Sequence, residues 1–389
     1  MPLQLYIHFP FCKSKCFYCD FCSAQASVQT IAAYCRALRA EMRREAQTYG
    51  SMPVSTVFFG GGTPSIVPPG LMADVLDTLR GCFSLTPDTE FTSEANPGTL
   101  TEEWLRVMTD GGMNRLSLGV QAAQDDLLRA IGRIHTFDQA REAVDLARRA
   151  GIRNLNLDVI SGLPGQTPSL HLDSLQKILS LGPEHISAYS LILEEGTPLY
   201  EAVEAGRVSL PSEDDAALMY EQGIRLLEDA GYARYEISNF AKPGCACRHN
   251  LGYWNGAWYL GLGAAAHSML PEAPQGSAYL RRANLPDTQG YICALNAGQS
   301  PILDSQAISP DEAMFETLML GLRTVRGVEE GDFQRRHGVS LTGRYGPRLD
   351  ALVAQGLALW AEKDGRRWFR LTNRGLEIQN DVLLTLMDD

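Results

Sequence analysis

Apolar positions in the first half of the chain alternate between short strand-like runs and longer stretches at helical spacing. The strand-like runs fall over 3–9, 56–59, 90–95, 115–120, 153–160 and 185–191. Between them lie segments such as 31–47, where Ile31, Tyr34, Cys35, Leu38 and Met42 share one stripe. Six strand-helix units in succession predict a parallel sheet. Six are too few for a closed eight-stranded barrel, so the expected fold is α/β, a partial (β/α)6 barrel with its working groups at the C-terminal strand ends. From about residue 309 the rhythm changes. Helical stripes such as Met314, Leu318 and Leu322 are followed by short strands around Trp360 and Trp368, an order that predicts a small winged-helix-like α/β domain. The expected division is barrel 1–235, connecting segment 236–300 and C-terminal domain 301–389.

The chemistry starts just after the first strand, where Cys12, Cys16 and Cys19 form a CxxxCxxC loop. Three thiolates at this spacing suit one face of a [4Fe-4S] cubane and leave its fourth iron open to a reactant. The alternatives are a zinc site using Cys22 as well, or thiols without a ligand. Zinc motifs usually clamp two separated ligand pairs, whereas these four thiols lie on one short loop.

Polar residues then appear where the barrel places its working ends. The second strand runs into Gly60, Gly61, Gly62 and Thr63, a turn whose N–H groups no side chain shields. Glu94, Gln121 and Asp158 end or interrupt the next three strands, and a carboxylate there is costly to bury without a partner. Each taken alone reads as a cap or loop anchor. Together with Arg133 they offer acceptors for ribose hydroxyls and an ammonium, and a guanidinium for a carboxylate.

The cysteine spacing, with Tyr18 before the third cysteine, is the signature of the radical S-adenosylmethionine (SAM) superfamily. The runs YIHFPFC, GGGTP, SEANPGT, SLGVQ, LDVISGLPGQT, YEISNFAKPG, HNLGYW and YLGLGAAAH extend the likeness over nearly the whole chain. It resembles the family that contains oxygen-independent coproporphyrinogen III dehydrogenase and the haem chaperone HemW. That resemblance implies cluster ligands at Cys12, Cys16 and Cys19, and SAM contacts at Tyr6, Tyr18, Gly61, Gly62, Thr63, Glu94, Gln121, Arg133 and Asp158. The dehydrogenase has an N-terminal extension and a fourth cysteine two residues after the third. Here the cluster loop begins at Cys12 and Phe21 stands at that position, which favours the HemW branch.

His249, Asn250, Tyr253 and Trp254 form an HNxxYW run that resembles the HemW motif associated with haem. An imidazole can ligate iron, and aromatic rings can stack on a porphyrin. The ordinary role of such a histidine is structural. Cys245, Cys247 and His267 lie nearby without a clear assignment, and Cys22 reads as a resolving thiol or an accidental neighbour.

Charge and cysteine count narrow the class further. A formal net charge of −12 argues against a nucleic-acid binder. Nine cysteines, an odd number with four of them clustered at metal-like spacing, suit a reducing compartment, and with no signal peptide or spanning segment read from the sequence the expected location is cytoplasmic. The leading expectation is a protein that binds a [4Fe-4S] cluster, SAM and haem, and hands haem to respiratory acceptor proteins at the membrane. The alternatives are a coproporphyrinogen III dehydrogenase of porphyrin biosynthesis and a metal-stabilised winged-helix regulator. A homodimer is neither favoured nor disfavoured.

Overall fold

A computed structural model describes residues 2–271 and 273–387. Six parallel strands form its centre: β1 (Leu3–Phe9), β2 (Pro53–Gly61), β3 (Ser84–Ala95), β4 (Arg115–Gln121), β5 (Asn154–Ser161) and β6 (His185–Ser190), neighbours in that order. The pleat of β1 explains the arrangement. Leu3, Leu5, Ile7 and Phe9 face outward and share one core with Ile31, Tyr34, Leu38 and Met42 of the helix Val28–Tyr49. Gln4, Tyr6 and His8 face inward.

The interior of the barrel is polar. Parallel strands are normally apolar on both faces, yet Thr56, Glu90, Arg115, Asn156 and His185 are all buried. Asn156 and His185 bond to each other, while Thr56 and Glu90 meet a helix, Arg248–Trp254, that enters the barrel and brings its own polar atoms. The His249 N–H donates to Glu90 Oε1 at 3.0 Å, and Gln4 Nε2 donates to the Arg248 carbonyl at 3.3 Å.

The sheet extends beyond six strands. The short strands β7 (Ala233–Arg234) and β8 (Asn239–Ala241) follow β6 in sequence, and β8 pairs antiparallel to it. On the other edge β9 (Tyr259–Leu262) pairs parallel to β1, followed by β10 (His267–Leu270), β11 (Tyr279–Asn284) and β12 (Ile302–Ile308). The expected divisions at 235 and 300 therefore do not interrupt the architecture. The segment between them supplies strands and the central helix, and the sheet ends at Ile308, past residue 300. Short isolated strands such as 239–241 carry too little periodicity to be read alone.

The last part is a winged-helix-like unit with its own core around Leu318, Phe333, Leu349 and Phe369. The helices Pro310–Gly321, Glu330–His337 and Leu341–Ala354 pack on a three-stranded sheet of β13 (Val328–Glu329), β14 (Ala358–Lys363) and β15 (Arg366–Leu371). Asp364 and Gly365, both at positive φ, make the two-residue turn between the last two strands. Among the described residues no helix is long and apolar enough to cross a membrane.

Candidate functional site

The cysteine loop leaves β1 at its C-terminal end and is pinned at both ends. Cys12 N–H donates to the Ala24 carbonyl and Ala24 N–H donates to that of Pro10, each at 3.0 Å. Its middle is tied to the residues before Arg133 by the Phe17 N–H, which donates to the Ile131 carbonyl at 3.0 Å. The Thr63 hydroxyl approaches Cys12 Sγ at 3.6 Å, and Arg133 Nη1 approaches Cys16 Sγ at 3.5 Å. Burial pushes the Cys19 thiol up to about 11, with Cys16 and Cys12 adding to the rise, so the metal-free thiol is protonated and iron would have to displace its proton.

Among the described residues no three His, Cys, Asp or Glu side chains converge on a point that would hold a single ion. A cubane binds each thiolate at a different iron, so half-buried thiols backed by donors on two of the three sulfurs suit a cluster. Cys22 stands apart, with its S–H donating to the Pro286 carbonyl at 3.0 Å.

The glycine turn after β2 is shaped by what surrounds it. Gly61 has φ +98°, and a Cβ there would lie 2.2 Å from the His8 ring. A Cβ on Gly62 would lie within 2.6 Å of the Phe11 and Phe9 carbonyl oxygens. Both positions therefore exclude a side chain, and the turn stays flush against the cysteine loop through the Thr63 N–H, which donates to Phe11 O at 2.7 Å. Gly61 N–H also donates to Glu94 Oε2 at 3.1 Å.

Glu94 and Asp158 face the same interior. Burial, then the neighbouring Asp158, pushes Glu94 up to about 8, and burial raises Asp158 despite hydrogen bonds from Asn156 and Ser187. Arg115 offsets part of the rise at both carboxylates and Arg133 part of it at Asp158, yet both stay raised, which suits a ligand that brings further positive charge and hydroxyl donors. Gln121 holds a left-handed backbone at φ +71° with its Oε1 buried and unpartnered, which is the state of an acceptor awaiting a donor. Tyr18 packs against Ala122, Leu128 and Ile131, and burial raises its phenol.

Arg133 links these parts. Besides Cys16, it donates from Nη2 to Asn96 Oδ1 at 2.7 Å and to the Gly119 carbonyl at 2.5 Å, while its Nε is buried without a partner. Asn96 in turn donates from Nδ2 to Thr63 Oγ1 at 2.9 Å. Sequence reasoning had not singled out Asn96, although it lies in the quoted SEANPGT run. Its position between Thr63 and Arg133 arises only when two loops meet.

Tyr6 and His8 lie beside the cysteine loop. A carbonyl can only accept, so His8 Nε2–H donates to Cys22 O at 2.9 Å and the Tyr6 hydroxyl donates to His8 Nδ1 at 3.0 Å. Burial lowers the pKa of His8, which keeps the imidazole neutral. Tyr6, His8, Glu94, Tyr253, Tyr259 and His267 line a cavity of about 390 Å³. Neither His8 nor Tyr259 was among the expected site residues.

The HNxxYW residues separate in space. His249, expected as an iron ligand, is 1% exposed, stacks on Phe58 with ring centroids 5.0 Å apart, and has both nitrogens engaged. Nδ1 pairs with the Thr56 hydroxyl at 2.7 Å and Nε2 with the Tyr253 hydroxyl at 3.0 Å. A ligand to iron needs a nitrogen lone pair that is not already engaged, and with both nitrogens paired this histidine acts as a structural post of the central helix. Burial drives its pKa down to about 3, which keeps the ring neutral. Tyr253 reaches the cavity beside Tyr6, Asn250 is half-buried on the same helix, and Trp254 faces a different cavity toward the C-terminal unit.

The model of the radical SAM superfamily matches residues 6–178, and that of the HemN C-terminal domain matches residues 308–378. The chain is 37% identical to the heme chaperone HemW of Bacillus subtilis, over 97% of both chains. The chain belongs to the HemW family of radical SAM proteins. Its family relatives include HemW of Escherichia coli, 35% identical over 91% of each chain. The mitochondrial radical S-adenosyl methionine domain-containing protein 1 of Danio rerio is 33% identical over 98% of this chain and 85% of its own. Among solved structures, coproporphyrinogen III oxidase (HemN) from Escherichia coli superposes with a TM-score of 0.83 at 22% identity, covering 99% of this chain and 90% of its own. That likeness speaks for the fold alone.

Proposed function

We propose that the chain is a haem chaperone that holds a [4Fe-4S] cluster on Cys12, Cys16 and Cys19, binds SAM beside it, and delivers haem to respiratory acceptor proteins from the cytoplasm. The observation that carries this reading is the match to chains named heme chaperone HemW from the cysteine loop through the winged-helix unit. When bound, the cluster supplies a site-open iron and an electron for the sulfonium of SAM.

The residues of this chain would act as a holder. Thr63 and Arg133 donate toward ligand sulfurs and stabilise their negative charge. The side-chain-free turn at Gly61 and Gly62, whose N–H groups are held by Glu94 and the Phe9 carbonyl, would line the SAM seat with Tyr6, Tyr18 and Gln121, while Glu94 and Asp158 offer acceptors for its amino group and ribose hydroxyls. In the HNxxYW run, Trp254 supplies ring surface for haem, Tyr253 faces the cavity beside the cysteine loop, Asn250 precedes them on the helix, and His249 holds that helix in place. The dehydrogenase reading rests on a fold likeness at 22% identity and is not adopted.

The test is an anaerobic haemin titration of cluster-reconstituted protein followed by gel filtration. A saturable complex that survives filtration supports the chaperone reading. No retained haem would overturn it.

A further inference from the structure

A second cavity, of about 470 Å³, lies between the antiparallel edge of the sheet and the winged-helix unit. That volume is in the range of small-molecule sites, which favour domain interfaces. It shares no lining residue with the cavity at the cysteine loop. Its walls carry the rings of Trp254, Trp258, Phe333 and Trp368. The Trp254 indole Nε1 is buried with no hydrogen-bond partner, so one donor at this boundary is left over by the protein's own packing.

The charge in this cavity is unbalanced. Its three carboxylates are answered: Glu316 by Arg281, Glu329 by Arg335, and Asp332 by Arg335 and Arg336. Arg326 and Arg366 line the same space and make no ion pair with a carboxylate of the described residues. Arg326 lies over the Trp368 ring at 3.9 Å, a placement that orients its guanidinium. Two free guanidiniums beside aromatic faces suit a flat aromatic ligand carrying two carboxylates.

One imidazole completes the set. His337 lines the cavity, and its Nε2 lies 2.9 Å from Thr317 Oγ1. The Thr317 hydroxyl proton is already given to the Ala313 carbonyl at 2.9 Å, so Thr317 accepts and His337 Nε2 carries the hydrogen. Nδ1 then keeps its lone pair, the form in which imidazole ligates iron. His249 has no such nitrogen.

We propose that this interdomain cavity is the haem seat, with the macrocycle against Trp254 and Trp368, the propionates on Arg326 and Arg366, and His337 on the iron. The assignment rests on the haem-handling reading and locates its site away from the cluster. It makes Trp254 the residue through which HNxxYW meets haem, at the end of a helix that His249 anchors.

The test titrates full-length, cluster-loaded protein with haemin and with haemin dimethyl ester, following the Soret band. Arg326→Gln/Arg366→Gln alters two exposed side chains, so the fold should persist, which an unchanged melting temperature checks. Expected is a loss of haemin affinity of about tenfold or more in the double variant, with the ester binding equally to both proteins. His337→Ala should shift the Soret band, and added imidazole should restore it. Wild-type binding with unchanged affinity and spectra in all variants overturns the cavity assignment and leaves the chaperone reading standing. No haemin bound by the wild type overturns both.

Discussion

Replacing His249 by alanine separates a structural post from an iron ligand. The wild-type ring is buried, stacked on Phe58, and hydrogen-bonded to Thr56 and Tyr253. Truncating a buried ring leaves a cavity whose cost lies at roughly 2–3 kcal/mol for a side chain this size. The two lost hydrogen bonds add about 1 kcal/mol each. The sum, about 4 kcal/mol, is a large fraction of a typical folding free energy of roughly 5–15 kcal/mol. At about 2 °C per kcal/mol for a larger domain, the melting temperature should drop by roughly 8 °C. The assay is thermal unfolding of metal-free wild type and His249→Ala by far-ultraviolet circular dichroism, with haemin spectra recorded well below both transitions. A drop under 2 °C, or a variant that melts like wild type yet loses an imidazole-ligand spectrum, would refute the structural assignment.

Four further outcomes follow from the geometry. Cys22→Ser should retain full iron content after anaerobic reconstitution, whereas serine at Cys12, Cys16 or Cys19 should abolish it; iron analysis decides. Arg133→Gln removes the donors to Cys16 and Asn96 and should lower cluster retention more than it lowers melting temperature, which parallel iron and calorimetric measurements would check. Gly61→Ala puts a Cβ 2.2 Å from the His8 ring at φ +98°, and should destabilise the protein by about 2 kcal/mol or more; normal melting would show that the turn can move. Burial lowers His135 and His171 to about 4 and His249 to about 3, below the unfolded value near 6.5. The folded state then binds fewer protons than the unfolded chain, so stability is fully present above pH 6.5 and falls as pH drops toward 4, by about 3 kcal/mol per histidine. Burial raises Glu41 to about 7 and Glu94 to about 8, which works in the opposite sense and removes stability as pH rises from 4.5 through those values. Metal-free protein should therefore melt highest near pH 6.5, and a melting temperature unchanged from pH 6.5 to pH 5 would contradict these burial effects.

Local pattern carried much of this protein. The period-two strands, the helical stripe from Ile31 to Met42 and the cysteine spacing are one-dimensional signals, because each reflects geometry repeated within a few residues of chain. Glycine, glutamate, glutamine and aspartate at strand ends were legible for a related reason: a polar group closing an apolar strand is conspicuous without knowing its neighbours.

Tertiary structure decided what those groups touch. Asn96 gains its place because the loop after β3 meets the glycine turn and Arg133, residues far apart in the chain. His249 looked available from its motif, but its exposure depends on the helix entering the barrel and on Thr56 and Phe58 waiting there. The three-residue strand β8 exists only because the edge of β6 offers it hydrogen bonds. The cavity holding Arg326, His337 and Trp254 is formed by two separately packed cores brought side by side. Sequence determines the chemistry a chain can offer. Which atoms remain free to use it depends on burial and on the partners that folding supplies.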